Sequence, residues 1–448
     1  MTEIPIEEIE FSGSIFDDVG RVFKWQDEIF RAIKPTYAAF FTKIIESRKF
    51  TDLFERGLIS SKLTNYSLNE YPLIIKHKRI QFVSYCSEWG FEMLKDAALL
   101  VCDLSIELCN MGLILKDVHP WNILFDGCKP IFVDLGSIQP ISTTSFWPIQ
   151  EFLDWYVVPL ELMSIGLSKI IRPHQVMVDP LSVGNMLRLQ IGRIPIAQWM
   201  QKFLSWQKRK SSEYKPNVPS LLALRKEIEA ICPIYSKTEW TGYEGWDSRF
   251  TSFEPTNKWP AKLRSVERLI REFHPETILD IGSNRGWFSN LGSHLGAQVV
   301  ATDIDEASID TLYSRTRQNH LSILPLVMDI CAPTPVHGWY NACPPAEKRL
   351  KTDMILALAL THHLVFKRYA SFEAILSLLS KFAKKQAIIE FIPPSDPHIT
   401  TWLNPSFDWY NLDNFVKACQ KFFGEVSIIE SSPEPRILVV CNKPLEFS

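Results

Sequence analysis

Residues Thr277 to Phe288 read Thr-Ile-Leu-Asp-Ile-Gly-Ser-Asn-Arg-Gly-Trp-Phe. A short apolar run ends on an acid, Asp280, and gives way to a turn that holds Gly282 and Gly286. Glycines there let the backbone approach a ligand closely, and the start of the following helix can face a polar or anionic group. A glycine turn alone is weak evidence, but Asp303 closes the next apolar run, Val-Val-Ala-Thr-Asp, 23 residues beyond Asp280. A carboxylate in that place can accept hydrogen bonds from both hydroxyls of a ribose. A nicotinamide site shares this layout. The spacing Asp280-x-Gly282-x-x-x-Gly286, in place of Gly-x-Gly-x-x-Gly, leaves less provision for a pyrophosphate and favours a cofactor without phosphates.

Outward from this turn, short β-branched runs alternate with helical stretches, the pattern of βαβ units and a parallel sheet. Strands are expected at 277–280, 298–303, 324–328, 354–359, 387–391, 425–429 and 436–440, seven in all. A helix is expected over Asn411 to Phe423, whereas only Ser431 to Pro435 joins the last two strands. So short a joint makes that pair antiparallel. Upstream, Leu263, Val266, Leu269, Ile270 and Phe273 recur at helical spacing over Ala261 to His274, and Lys262, Arg264, Arg268 and Arg271 read as a solvated basic face.

With this order of motifs, about Trp259 to Asn442 resembles the class I S-adenosylmethionine-dependent methyltransferases. The resemblance implies that Asp280, Gly282, Ser283, Asn284 and Gly286 hold the amino-acid end of S-adenosylmethionine, Asp303 its ribose and Asp329 its adenine amino group, with Asp353 near the methionine moiety. Thr361-His362-His363-Leu follows the fourth strand, at the carboxyl end of the sheet, where ligands of open α/β folds bind. A histidine of near-neutral pKa there could take a proton from an acceptor hydroxyl or orient it, with His362 the first choice. Glu390, ending the fifth strand, reads either as an acceptor contact or as a structural hydrogen-bonding group.

The N-terminal half carries a second motif. After a helix expected over Glu92 to Met111 comes Leu115-Lys-Asp117-Val-His-Pro-Trp-Asn122, then Ile-Phe-Val-Asp134-Leu-Gly136. An Asp with Asn five places on, followed by Asp-x-Gly behind an apolar strand, is how phosphotransferases arrange a catalytic base and two magnesium ligands. The half resembles protein kinases, more closely their aminoglycoside-phosphotransferase branch. Departures speak for a nucleotide-binding or structural domain. Leu115 stands where a histidine is usual, Gly13 and Gly20 do not form a glycine-rich loop, and Lys34 in Arg-Ala-Ile-Lys matches the phosphate-binding lysine only by a chance likeness. A hairpin is expected over Gly20 to Ile33 around Gln26-Asp27, a strand over Ile80 to Tyr85, and mostly helices over 152–203.

The expected fold is therefore α/β: a seven-stranded, Rossmann-like methyltransferase sheet preceded by an α+β kinase-like domain. The domains are 1–207, kinase-like, a connector at 208–258, and the methyltransferase at 259–448. Segments of both halves, among them Phe82-Val-Ser-Tyr-Cys-Ser-Glu88-Trp89, resemble the large bacterial methyltransferases related to rhizobial nodulation methyltransferases, which join the same two halves in this order. That likeness implies methyl transfer to a glycan, a natural-product intermediate or a macromolecule.

Composition sets outer bounds. The chain has 448 residues, enough for two or three domains at about 150 each. Its net charge of −3 provides no field to gather nucleic acid, and no apolar run reaches the roughly 18 residues of a membrane span. Nine cysteines lack zinc-site spacing, so no metal is expected and a reducing compartment fits. The acidic start, without signal-peptide character, makes the cytoplasm the expected location. The rival reading is a non-catalytic binding or scaffold protein.

Overall fold

The computed structural model describes residues 2–12, 17–142, 145–169, 171–172, 217–235, 253, 258–338 and 341–445. The chain divides into two compact units, Met1–Ser236 with His337–Cys343, and Lys237–Val336 with Pro344–Ser448. Of the expected connector, residues 217–235 belong to the first unit. There the helix Val218–Glu229 is tied to the helix Phe91–Cys109 by an Arg225–Asp103 ion pair of 2.6 Å. The other expected helices between 173 and 203 lie outside the described residues, as does most of the expected connector.

The first unit opens with an antiparallel five-stranded sheet in the spatial order 10–12, 20–25, 28–33, 73–77, 61–63. The expected hairpin is present, and its two turn residues take left-handed backbone, with φ of 49° at Gln26 and 62° at Asp27. Polar residues at both turn positions accept that conformation at lower cost than β-branched ones. Ile80–Tyr85 is not a strand. The hydrogen-bonding edge is taken by Leu73–His77, which pairs with both 28–33 and 61–63. The run at 80–85 instead leads, outside any strand, into a short 3₁₀ turn at Cys86–Glu88.

The second unit holds seven strands, β1 (Thr277–Ile281), β2 (Gln298–Asp303), β3 (Ile323–Val327), β4 (Thr352–Ala357), β5 (Ala383–Phe391), β6 (Phe423–Glu430) and β7 (Ile437–Pro444). Their order is β3-β2-β1-β4-β5-β7-β6. The first five are parallel, and β7 runs antiparallel to both β5 and β6, as the short joint requires. Every residue of β1, β3 and β4 is buried, as for strands covered on both faces. The chain order reverses between β1 and β4, so a crevice opens at the carboxyl ends of these two strands. Three helices, α1 (Ala261–Phe273), α2 (Trp287–His294) and α3 (Thr361–Arg368), supply residues to that crevice. No described helix is long and apolar enough to cross a membrane.

Candidate active site

At the carboxyl ends of the parallel strands lies a cleft of about 480 Å³. Asp280, Gly282, Ser283, Asn284, Asp303, Asp329, His362 and His363 all line it. The turn after β1 is shaped by left-handed backbone at Gly282 (φ 72°), Asn284 (φ 50°) and Gly286 (φ 76°). Gly286 does not face the cleft. A Cβ there would fall 2.5 Å from Leu312, so its glycine lets the turn pack against the helix behind it.

Asp303 ties this turn to β2. One carboxylate oxygen accepts the Asn284 amide at 2.8 Å and the other the Asp305 amide at 2.8 Å. An ionised carboxylate has about four lone-pair positions, so capacity remains for a ligand. Asp280 is buried, accepts a 2.6 Å bond from the Ser289 hydroxyl, and is pushed up to about 6, chiefly by burial. Asp329 accepts the Cys331 amide on one oxygen at 3.0 Å and pairs with Arg368 at 2.8 Å through the other.

Beyond the cradle, the cleft is walled by His362, His363, His398, Trp402 and Arg436. The His362 ring stacks on Trp402 at 5.9 Å and 16°. Its Nδ1 is buried without a hydrogen-bond partner. Burial, helped by the neighbouring His363, pushes the His362 imidazole down to about 2. His362 is therefore neutral over the whole working pH range, and it is too weak a base to keep a proton it accepts. That direction runs against the near-neutral titration expected of this histidine.

Two expected site residues lie elsewhere. Asp353 sits at the amino end of β4, where it accepts the Glu276 and Thr277 amides and pairs with Lys385 at 3.2 Å. It opens its strand, and the cleft is at the opposite end, so it clamps the sheet and does not meet the methionine moiety. Glu390 is fully buried, and both of its oxygens are engaged. One oxygen takes Lys262 at 2.7 Å and the Ala359 amide at 2.8 Å, the other the Ser431 hydroxyl at 2.8 Å. Of its two readings the structural one fits. Lys262, expected on a solvated face, is only 4% exposed and lines the cleft.

The residues present suit a cofactor with a charged amino-acid end and a ribose. Acids stand at both β-strand ends, the Ser283 hydroxyl is buried in the cradle without a partner, and a lysine stands beside Asp280.

In the first unit, Asp117 follows a short strand at Leu113–Leu115, Asn122 ends a 3₁₀ turn and Asp134 follows the strand Lys129–Phe132. Burial raises the Asp117 carboxyl, and Asn122 Nδ2 is buried without a partner. Lys34 does not reach this loop; its ammonium donates to the Asp17 carbonyl at 3.3 Å. The cation at Asp134 is Arg31, from the strand Glu28–Ile33. It is 4% exposed, pairs with Asp134 at 2.8 Å, and also pairs with Asp17. Gly136 leaves room for the guanidinium, since a Cβ there would fall 2.3 Å from it.

No family model matches the chain. It is similar to "Nodulation protein NoeA" of Rhizobium meliloti (strain 1021), with 26% identity over 441 residues covering 91% of this chain and 90% of that protein. Among solved structures it is similar to WbdD, with a TM-score of 0.31 and 19% identity over 41% of this chain and 42% of WbdD. The chain thus spans less than half the length of WbdD, which another structure describes as a bifunctional kinase-methyltransferase. It is also similar to magnesium protoporphyrin IX methyltransferase from Synechocystis PCC 6803, solved with bound SAH (S-adenosylhomocysteine). That match has a TM-score of 0.28 and 15% identity over 40% of this chain and 82% of that one.

Proposed function

We propose that the second unit is an S-adenosylmethionine-dependent methyltransferase acting on a hydroxyl of a glycan or small-molecule intermediate. The observation that carries this reading is the joining of Asp280, the Gly282 turn and Asp303 along one cleft that His362 and Trp402 also line. The cofactor supplies an activated methyl group when bound. The chain's own contribution is to hold that group and the acceptor in line, which can account for much of the rate. His362, neutral and with an unused buried Nδ1, is suited to orient an acceptor hydroxyl beside the Trp402 ring.

Methyl-labelled S-adenosylmethionine incubated with the full chain and an extract of the source organism is expected to label one acceptor class. His362→Ala should lower turnover about tenfold, the value of one neutral hydrogen bond, while leaving SAH affinity unchanged. Between pH 6 and 9, no loss of turnover on acidification should trace to His362. Full activity in His362→Ala, or a titration near neutrality that disappears with that substitution, would overturn the assignment.

Phosphotransfer by the first unit is the second reading, motivated by Asp117, Asn122 and Asp134. The Arg31–Asp134 ion pair argues against it, because the carboxylate that would hold magnesium already has a buried cationic partner. Labelled ATP with magnesium is expected to give no transfer. Robust transfer that is lost in Asp117→Asn and in Asp134→Asn would reverse this view.

A further inference from the structure

We infer that Lys262 holds the carboxylate of the cofactor's amino-acid end, an inference that rests on the methyltransferase reading. Lys262 stands in the first turn of α1, is 4% exposed and lines the cleft. Its ammonium donates at 2.7 Å to Glu390 and lies 5.4 Å from the centre of the Phe288 ring. An ammonium has three N–H donors. Glu390 accepts the only hydrogen bond this one makes among the described residues, so donors remain for a ligand.

The charge pattern matches a zwitterion. An α-amino acid places a cation and an anion two bonds apart, and its site needs the opposite pair close together. Asp280 and Lys262 both line this part of the cleft, and the positive charge of Lys262 acts on the Asp280 carboxylate. The other cleft cations have different stations. Arg368 pairs with Asp329, Arg436 with Asp396 at 2.8 Å, and the Lys367 ammonium lies over Trp402 at 5.3 Å. Ala359, whose amide shares a Glu390 oxygen with Lys262, holds φ at 51°, unusual for a residue with a Cβ. Glu390 thus fixes both the lysine and a strained turn at the end of β4. The ammonium is positioned in advance, at a site buried enough for a charged hydrogen bond to count fully.

Calorimetry on the full chain with two ligands tests this. SAH carries the amino-acid end; 5′-methylthioadenosine lacks it. Lys262→Met should weaken SAH about tenfold or more, the value of a charge-assisted bond, and change 5′-methylthioadenosine by less than twofold. Should the single variant fold poorly with Glu390 left alone, Lys262→Met/Glu390→Gln keeps an acceptor oxygen for the Ala359 amide and offers the Ser431 hydroxyl an NH2 group to accept from, and should give the same selective loss. Equal loss for both ligands, or loss for neither, overturns the assignment. If the wild-type chain binds neither ligand, the methyltransferase reading fails first, and the role of Lys262 falls with it.

Discussion

Asp303→Ala is expected to weaken SAH binding by about 10²-fold, the largest effect of any single change at the cofactor cradle. Each charge-assisted hydrogen bond contributes about 1.5–3 kcal/mol, and a carboxylate facing a ribose makes two. The same side chain also accepts the Asn284 and Asp305 amides, so its loss frees the turn after β1 as well as the ligand. Asp303→Asn, which keeps one acceptor oxygen, should lose less. A pH series adds a second signature. Asp280 must be ionised to meet the ligand's ammonium, and burial pushes its carboxyl up to about 6. SAH affinity should therefore fall as pH drops through about 6. The stability of the unliganded unit runs the other way, because a carboxyl raised on folding contributes stability at low pH that is lost as pH rises through about 6. Calorimetry of SAH binding and amide exchange along β1, between about pH 4 and 8, would detect both. Unchanged affinity in Asp303→Ala, or preferential binding of a nicotinamide dinucleotide, would remove the basis of the cofactor assignment.

What could be read in the sequence was local. The strands β1, β3 and β4 are largely apolar runs, and the turn after β1 must be built from residues that tolerate left-handed backbone, so strand, turn and acid are written within about ten residues of one another. The antiparallel final pair followed from the length of one joint. Features that depend on distant partners were not legible. Lys262 sits off the main apolar stripe of α1 and reads as a solvent-facing base; only Glu390, 128 positions away, makes it a buried one. A signal existed, since Glu390 interrupts the otherwise apolar run Ala387–Ile392 and a buried carboxylate needs a cationic partner. The resemblance offered Asp353 as a site acid, but in a parallel sheet position along the strand decides function, and it stands at the end away from the cleft. In the first unit, the Arg-Ala-Ile-Lys run drew attention to Lys34. The register of the hairpin brings Arg31 to Asp134 instead. His398 and Arg436 reach the cleft from a turn and an irregular segment, and Trp402 from the short 3₁₀ helix Thr400–Trp402, where no long periodicity signals direction.

The buried Lys262–Glu390 pair also makes the sharpest stability prediction. Glu390→Leu should destabilise the second unit by about 3–5 kcal/mol, the usual cost of leaving one partner of a buried ion pair without its counter-charge. Three donors lose their acceptor at once: the Lys262 ammonium, the Ala359 amide and the Ser431 hydroxyl. The ammonium dominates, because desolvating a charge costs more than desolvating an amide or hydroxyl. Lys262→Met/Glu390→Leu removes the stranded charge and replaces the pair with apolar side chains of similar size. It should recover most of the loss, leaving the smaller penalty of two unsatisfied neutral donors. The chain has two units, so a single melting temperature would mix their transitions. Amide exchange along β1 and β5 reads the second unit alone. A loss below about 1 kcal/mol in Glu390→Leu would mean that water reaches the pair and screens it as at a surface. The double variant should still fail to bind SAH as tightly as the wild type even where its stability is restored, because stability needs only that the charges cancel, whereas binding needs the ammonium itself.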